Sequence, residues 1–328
     1  MRYFVTGIGG FAGTHLAERL LEDGHTVTGS VRERRAFPRL EALAARHSAF
    51  DPVTLACADV AEGDALARAI AAARPDGVFH LAGIAFGPRA ASDPARALIV
   101  NTLGTRNVLV AVQSEAPAAR VVIVGSSDVY GAAADTGEPI REDCPLRPVS
   151  TYGLSKAAAD MAAFQHWWES GLAVIRARVF NHTGPGQSDD FVCSDFAHQM
   201  VRIEQGLAPP VLRVGNLRTE RDFSDVRDIV RGYAVLMERA TPGEAYNLCS
   251  GQGVSIGEIV DHFRAEVRVP FELVEEGMRL RRREIPRVVG DAGRAQALGW
   301  HPTIPLRQSL RDLLDFWRAA DPSGRNDQ

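Results

Sequence analysis

Short apolar runs alternate with longer amphipathic segments through the first two-thirds of the chain. The apolar runs predict six strands, at residues 3–6, 26–30, 53–58, 77–81, 121–124 and 173–179. The amphipathic segments predict helices at residues 14–21, 65–73, 95–114 and 155–170. Strands that alternate with helices of this length are typical of βαβ crossovers and of a parallel sheet covered on both faces. The pattern therefore predicts an α/β fold with a doubly wound parallel sheet.

The alternation becomes less regular after Phe180. Residues 181–187 contain Gly184, Pro185 and Gly186 and predict a loop. Further elements are predicted as helices at 196–205, from Asp225, at 256–265 and at 306–317, and as strands at 211–214 and 245–249. We expect residues 1–180 to form the first domain and residues 223–250 to return to it. Residues 181–222 and 251–328 are then expected to form a smaller lobe at the carboxyl edge of the sheet.

Composition narrows the class of protein. An apolar share of 45% and a charged share of 24% are ordinary for a globular chain. The net charge of −4 argues against a protein that coats nucleic acid. The four cysteines form no C-x-x-C pair and have no metal-ligand spacing, which favours a reducing compartment and no bound metal. Because no apolar stretch approaches the roughly 20 residues that span a bilayer, we expect a cytoplasmic protein without a membrane partner.

A glycine-rich turn follows the first predicted strand. Gly7, Gly10 and Gly13 form a G-x-x-G-x-x-G pattern that opens the first helix. Gly7 permits a tight turn, Gly10 allows the backbone to approach a diphosphate, and Gly13 allows the helix to pack close to the strand. The amino end of the helix presents N–H groups and a positive dipole end to phosphates. This pattern, placed between a strand and a helix, predicts a dinucleotide-binding site.

The end of the second strand indicates which dinucleotide binds. An NAD(H) enzyme usually carries a carboxylate there that binds the ribose 2′-hydroxyl. This chain instead has Ser30 and Arg32, which suit a 2′-phosphate, so the sequence favours NADP(H) over NAD(H). Asp59 follows the third strand, where its carboxylate would either accept a hydrogen bond from the adenine amine or hold the loop or cap the next helix.

Tyr152 and Lys156 are four residues apart, and on a helix their side chains share one face. A free tyrosine titrates near pH 10. A lysine cation and an oxidised nicotinamide would both favour the phenolate, which leads us to expect a lowered Tyr152 pKa. The phenol would then exchange a proton with a carbonyl or alcohol oxygen, while Lys156 binds the nicotinamide ribose.

Polar residues at the end of the fifth strand are candidates for the rest of the site. Ser126 is positioned to hydrogen-bond a substrate oxygen, with Ser127 as a polar neighbour. Asp128 is either a second acid–base group or a residue that holds the loop in place.

Several motifs together resemble the extended short-chain dehydrogenases/reductases, and those in the second half are similar to the branch that acts on GDP-linked sugars. The first group comprises the glycine turn, His80-Leu81-Ala82-Gly83, Asn101-x-x-Gly104-Thr105, residues 126–131 and Tyr152-x-x-x-Lys156. The second comprises residues 178–187, Phe191-Val192, residues 214–217 and residues 221–228. The resemblance implies a Rossmann-type sheet with a smaller carboxyl-terminal substrate-binding lobe.

The resemblance also implies roles at matching positions. Ser126, Tyr152 and Lys156 would be catalytic, and Ser127 and Asp128 would contact the substrate. The implied cofactor-binding residues are Gly7, Gly10, Phe11, Ala12, Gly13, Ser30, Arg32, Asp59, Val60, Leu81, Ala82, Val179, Tyr152 and Lys156. Asn181, Arg221 and Arg281 would bind the diphosphate of a nucleotide sugar, although Arg282 replaces the proline that usually follows the last of these.

The implied reaction is NADPH-dependent reduction of the 4-keto group of a nucleotide-activated 6-deoxy sugar, from GDP-4-keto-6-deoxy-D-mannose to GDP-D-rhamnose. A 4,6-dehydratase or 4-epimerase with tightly bound NAD(P) is the alternative enzyme. Asp128 argues against a dehydratase, because the related dehydratases use a longer glutamate there. A cofactor-binding sensor without catalysis is a third possibility. The resemblance also implies a homodimer formed through the helices at 95–114 and 155–170.

Overall fold

The computed structural model describes residues 1–33, 37–46, 53–277 and 284–319. Its first half alternates strands and helices as the apolar pattern predicts. In chain order the elements are β1 (Arg2–Thr6), α1 (Phe11–Glu22), β2 (Thr26–Val31), α2 (Pro38–Arg46), β3 (Val53–Cys57), α3 (Gly63–Ala73), β4 (Gly77–His80), α4 (Gly87–Ser92), α5 (Pro94–Leu98), α6 (Gly104–Glu115), β5 (Arg120–Val124), α7 (Thr151–Ser170) and β6 (Val174–Val179).

The second half has shorter elements. They are β7 (Asn181–Thr183), α8 (Val192–Glu204), β8 (Val211–Val214), β9 (Glu220–Asp225), α9 (Val226–Arg239), β10 (Ala245–Leu248), β11 (Gly253–Ser255), α10 (Ile256–Arg264), β12 (Glu272–Glu275), β13 (Arg287–Val288), α11 (Gly293–Ala297) and α12 (Leu306–Ala319). Within the described ranges, no helix combines the length and apolarity needed to cross a bilayer.

Seven parallel strands form the main sheet in the order β10-β6-β5-β4-β1-β2-β3. Alternate strand residues face opposite layers, so Val5 and Val122 pack with α1 and α9, whereas Phe4 and Val121 pack with α3 and α6. The chain leaves β1 toward β2 and later crosses to β4 on the other side of β1. Ligands bind at such a crossover point in doubly wound sheets. The predicted α/β fold with a Rossmann-type sheet is confirmed.

A second core lies in the smaller lobe. Residues of α8, α10 and α12 pack there, with Phe196, Phe263 and Leu313 fully buried. The strand β9 pairs with β7, β11 and β13, and β8 pairs with β12. The chain also returns to the main sheet, since β10 pairs with β6 and α9 packs against the α1 face.

Two predicted elements differ from the structure. The helix predicted at 95–114 is interrupted, because a π-helical segment at Ile99–Leu103 separates α5 from α6. The loop predicted at 181–187 contains the strand β7, whose Asn181 lies opposite Phe223 of β9. Both differences depend on tertiary contacts: Asn101 bonds to other segments, and β7 needs β9 as a partner.

Candidate active site

The glycine turn connects β1 to α1 by a close backbone approach. Gly7 has φ of 71°, and a Cβ on Gly13 would lie 2.2 Å from the Gly7 carbonyl oxygen. Either position is therefore strained or blocked for other residues. Gly10 caps α1 without a side-chain hydrogen bond, which leaves the first N–H groups of the helix, at Phe11, Ala12 and Gly13, directed to the turn. The turn is a cradle for an anionic group.

The end of β2 carries the residues that the sequence assigned to cofactor selection. Ser30 is buried, and Arg32 is exposed, with its guanidinium 3.5 Å from Glu33. Asp59 accepts a hydrogen bond from the backbone N–H of Ala61 at 2.9 Å and pairs with Arg96 at 3.2 Å. Its carboxylate therefore holds the turn before α3, which is one of the two roles expected for it. The following residue, Val60, is buried.

His80 ends β4 inside a chain of hydrogen bonds. The Thr105 hydroxyl donates to the Asn101 carbonyl at 2.6 Å, so it accepts from His80 Nε2 at 3.0 Å. The His80 Nδ1 then accepts from the Thr6 hydroxyl at 2.7 Å, and Thr6 accepts from the Ala82 N–H at 3.1 Å. Burial and the nearby Lys156 cation lower the pKa of His80 to about 3, so the ring is neutral.

That chain positions the segment that leaves β4. Leu81 donates its N–H to the Thr6 carbonyl at 3.3 Å, and a Cβ on Gly7 would lie 2.8 Å from the Ala82 backbone. Leu81 and Ala82 therefore border the glycine turn. Val179, the last residue of β6, is buried.

Ser126 and Tyr152 come together at the carboxyl edge of β5. The Tyr152 hydroxyl lies beside the Ser126 side chain, which accepts a hydrogen bond from the Asp128 N–H at 3.2 Å. Burial raises the pKa of Tyr152 above its ordinary value, and the Asp128 charge adds to this effect. Burial therefore opposes the lowering of this pKa that is expected from Lys156 and an oxidised nicotinamide. The phenol stays protonated at neutral pH, which is the form that an acid requires.

Lys156 lies one helical turn from Tyr152 on α7 and is buried. Its Nζ donates to the Val124 carbonyl at 3.0 Å, which anchors the ammonium at the end of β5. Burial lowers the pKa of Lys156 to about 8. Its hydrogen-bond partner is the strand carbonyl and not the phenol, and burial is the largest influence on the Tyr152 pKa.

Asn101 belongs to the site although the sequence assigned it no role. Its Nδ2 donates to Ser155 Oγ at 2.9 Å and to the Ile84 carbonyl at 3.1 Å, and its Oδ1 accepts from the Ile84 N–H at 2.8 Å. The side chain thus joins the segment after β4 to the start of α7. The available signal was an asparagine inside an otherwise apolar helical pattern, where such residues usually form local hydrogen bonds. The π-helical geometry at this position is frequent at functional sites.

Ser127 and Asp128 begin a short 3₁₀ turn, with Ser127 buried and Asp128 exposed. A Cβ on Gly153 would lie 2.6 Å from the Asp128 carbonyl oxygen, so this turn packs closely against the start of α7. The Asp128 charge is close enough to affect Tyr152, and its exposed side chain is accessible from solvent.

The substrate residues expected in the lobe lie around β9. Asn181 is exposed, and its Nδ2 donates to the Asp222 carbonyl at 3.3 Å. Arg221 is 3.6 Å from Glu284, whose other oxygen accepts from Asn216 Nδ2 at 3.0 Å. Arg281 lies outside the described residues. Glu284 was missed at the sequence level, and only its contact with Arg221 identifies it.

A seven-stranded parallel sheet, a glycine cradle at its crossover and a Ser126–Tyr152–Lys156 cluster at its carboxyl edge define an extended short-chain dehydrogenase/reductase. The sequence profile of the GDP-mannose 4,6 dehydratase family matches residues 4–313 of the 328. The chain belongs to this family.

Individual relatives resemble the chain over nearly its whole length. It is 37% identical over 319 residues to GDP-6-deoxy-D-mannose reductase of Pseudomonas aeruginosa, with 97% of each chain covered. It is 28% identical to GDP-mannose 4,6 dehydratase 2 of Arabidopsis thaliana, with 95% of this chain and 85% of the other covered. The structure of RMD from Pseudomonas aeruginosa complexed with NADPH superposes with a TM-score of 0.82 at 35% identity, covering 97% of this chain and 99% of that one.

Proposed function

We propose that this protein uses NADPH to reduce the 4-keto group of a nucleotide-activated 6-deoxy sugar, converting GDP-4-keto-6-deoxy-D-mannose to GDP-D-rhamnose. The observation that carries the proposal is the buried Tyr152 phenol, which stays protonated beside Ser126 at the crossover edge of the sheet. A phenol in this state can give a proton to the oxygen of a carbonyl under reduction. The relative with 37% identity, a GDP-6-deoxy-D-mannose reductase, supports the same reaction.

The residues of the glycine turn fit the diphosphate of NADP(H). A side chain at Gly7 or Gly13 would fill the cradle, and the N–H groups at the start of α1 suit an anion. Ser30 and Arg32 would hold the 2′-phosphate, which favours NADP(H) over NAD(H). The other residues proposed to contact the cofactor are Asp59, Val60, Leu81, Ala82 and Val179. When bound, NADPH supplies the hydride that reduces the carbonyl carbon.

The protein side of the reaction is proton transfer and positioning. Tyr152 donates its proton to the C4 oxygen as negative charge develops there. Ser126 hydrogen-bonds the same oxygen and keeps the phenol oriented. Lys156, held by the Val124 carbonyl, has further N–H donors for the hydroxyls of a ribose. These groups are fixed before the substrate arrives, so little reorganisation is needed.

The diphosphate of the sugar nucleotide is assigned to the cationic face of the lobe. Arg221 and Asn181 lie on β9 and β7, which are neighbours, so their side chains can reach one ligand. Arg281 is proposed to complete this set. Arginine suits two adjacent phosphates because its planar donors bind oxygen pairs. Ser127 and Asp128 would contact the sugar from the opposite wall. The assignment of residues 223–250 to the first domain is supported by the pairing of β10 with β6. Ala292, Ala295 and Trp300, which were expected in the lobe, pack instead in the core of the main sheet.

A 4,6-dehydratase is the second candidate, because the matching family profile and several relatives carry that name. Dehydration of a hexose needs a base that reaches the C5 proton. Asp128 is one methylene shorter than a glutamate, and burial together with the Asp128 charge keeps the neighbouring phenol protonated. Both features favour the reductase.

The protein is also proposed to form a homodimer. Apolar side chains of α5, the π segment, α6 and α7 are exposed, including Leu103, Met161 and Trp168, the last at 73% exposure. An apolar face of this extent on adjacent helices is typical of a protein–protein interface. We call the residues Ile99, Leu103, Val110, Leu154, Met161, Phe164 and Trp168 the helical face.

One assay distinguishes the two enzymes. NADPH oxidation is followed at 340 nm with GDP-4-keto-6-deoxy-D-mannose, and in parallel GDP-mannose is incubated without added cofactor. A reductase oxidises NADPH only with the keto sugar, and Tyr152→Phe lowers kcat by about 10²–10⁴-fold. Conversion of GDP-mannose would identify a dehydratase. A Tyr152→Phe variant with near-normal turnover would refute the assignment of the acid.

A further inference from the structure

An aromatic pair connects the two parts of the chain that border the site. The rings of Phe86 and Phe191 lie 5.8 Å apart with an interplanar angle of 67°, the edge-to-face geometry that aromatic pairs prefer. Phe86 follows β4 of the main sheet, whereas Phe191 caps the amino end of α8 in the lobe. Both rings are half-buried. The pair therefore spans from the catalytic side of the site to the lobe.

The segment that carries Phe86 begins beside the catalytic lysine. A Cβ on Gly83 would lie 2.8 Å from Asn101 Oδ1 and 3.5 Å from Lys156 Nζ. Phe86 is three residues further on, and consecutive Cα atoms are 3.8 Å apart, so its Cα lies within about 11 Å of Gly83. This reach is comparable to the length of one hexose with its first phosphate. Residues 84–86 can therefore border the space beside Lys156, and we refer to them as the wall.

The side chains of the wall are apolar, and the backbone polar groups of its first residue already have hydrogen-bond partners. Ile84, Ala85 and Phe86 have no polar side-chain atom, and the Ile84 N–H and carbonyl are both bonded to Asn101. A sugar hydroxyl placed against this wall would lose water without gaining a partner from these groups. A methyl group placed there would instead gain apolar contact.

Resting on the proposed function, we propose that Phe86, supported by Phe191, is the residue that selects a C6 methyl over a C6 hydroxymethyl group on the bound sugar. The 6-deoxy sugar presents a methyl at C6, whereas the parent hexose presents CH₂OH. Rejection of an added hydroxyl by an apolar pocket is limited to roughly 100-fold. The same limit bounds the selectivity that this wall provides.

GDP-D-rhamnose and GDP-mannose form a matched pair of probes, since they differ by the single hydroxyl at C6. Their dissociation constants are measured by isothermal titration calorimetry on the protein saturated with NADPH, because neither probe carries a keto group that NADPH could reduce. We expect the wild type to bind GDP-D-rhamnose about 10- to 100-fold more tightly. Phe86→Gln should reduce this ratio to below about threefold by introducing a partner for the hydroxyl, and Phe191→Ala should reduce it in part. Phe86→Leu, which stays apolar, is the matched control and should keep most of the preference.

Equal affinities of the wild type for the two probes would overturn the proposal. So would a Phe86→Gln variant that weakens both probes by the same factor, since this is the signature of a structural role. The result is separable from that of the reduction assay, because binding of both probes needs no turnover. Absence of NADPH oxidation with a preserved C6 preference would contradict the reaction and leave the specificity wall intact.

Discussion

The side-chain amide of Asn101 donates to the Ser155 hydroxyl at 2.9 Å, and Ser155 donates in turn to the Tyr152 carbonyl at 2.8 Å. The π-helical segment before α6 and the start of α7 are therefore joined by polar contacts, to which Thr102 adds a bond to the Ser155 carbonyl at 3.0 Å. Because Tyr152 lies in the first turn of α7 and Lys156 one turn further along it, Asn101 positions both residues relative to the segment after β4.

Asn101→Ala should reduce both stability and turnover. The variant leaves the Ile84 N–H and carbonyl without their partner, and a buried unsatisfied group costs about 1–3 kcal/mol. Urea denaturation measures the loss, and the reduction assay measures turnover. Asn107→Ala is the control, because Asn107 makes one bond, to the Val60 carbonyl, and lies on the same layer. Equal stability of the Asn101 variant and the wild type would contradict the structural account.

Stability should fall with acid partly through His15. Burial, with Arg39, lowers the pKa of His15 to about 4, whereas an unfolded histidine titrates near 6.5. The unfolded chain therefore binds more protons below pH 6.5, so this stabilisation is complete above that pH and is lost as the pH falls toward 4. Each such group contributes about 1.4 kcal/mol per pH unit within this window.

The difference between wild type and His15→Gln isolates this contribution. Free energies of unfolding at pH 7, 6 and 5 should fall less steeply in the variant by about 1.4 kcal/mol per pH unit below pH 6.5. Substitution of the exposed His301 by glutamine serves as the control. Parallel pH dependences for wild type and His15→Gln would argue against a buried neutral ring.

Asp128→Asn should change the pH dependence of reduction. Reduction needs the proton on Tyr152, so kcat/KM declines as the pH rises through the phenol pKa. The Asp128 carboxylate raises that pKa, and its removal should move the decline to lower pH. The shift should be below about one pH unit because the carboxylate is exposed and screened. A decline that stays in place or moves to higher pH would exclude the electrostatic effect.

Asp160→Asn should be strongly destabilising. The buried Asp160 accepts from Arg178 Nε at 2.9 Å and Nη2 at 3.0 Å and from Arg176 at 2.7 Å. The substitution removes the Asp160 charge and leaves the guanidinium groups of Arg176 and Arg178 without their counterion, at a cost of about 3–5 kcal/mol. The control is Asp315→Asn, from an exposed pair with Arg318, which should change the free energy of unfolding by less than about 1 kcal/mol. Equal losses in the free energy of unfolding for Asp160→Asn and Asp315→Asn, measured by chemical denaturation, would contradict this prediction.

Charge on the helical face should prevent dimer formation. Met161→Glu and Trp168→Glu place carboxylates on a surface that a partner would desolvate, so the expected product is a monomer. Size-exclusion chromatography with light scattering gives the mass of each form. Leu207→Glu, at an exposed apolar residue outside the helical face, should keep the wild-type mass. A monomeric wild type would contradict the proposed homodimer.

Much of the fold follows from local patterns in the chain. The alternation of apolar runs with amphipathic segments, and the glycines after β1, depend on contacts between near neighbours and on backbone conformation. The order of the residues alone therefore predicts such features. An example is Gly7, whose φ of 71° is a conformation that glycine adopts without strain. The spacing of Tyr152 and Lys156 is likewise a local property of one helix.

What only the tertiary structure decided involves groups far apart in the chain. Asn101 is positioned by its bonds to Ile84 and Ser155, and β7 forms because β9 lies beside it. Phe86 contacts Phe191, which is 105 positions away in the chain. The direction of the Tyr152 pKa also reversed, because burial and Asp128 outweigh a lysine that is bonded elsewhere. Desolvation and long-range pairing depend on residues that are distant in the chain, so they cannot be predicted from a short stretch of neighbouring residues.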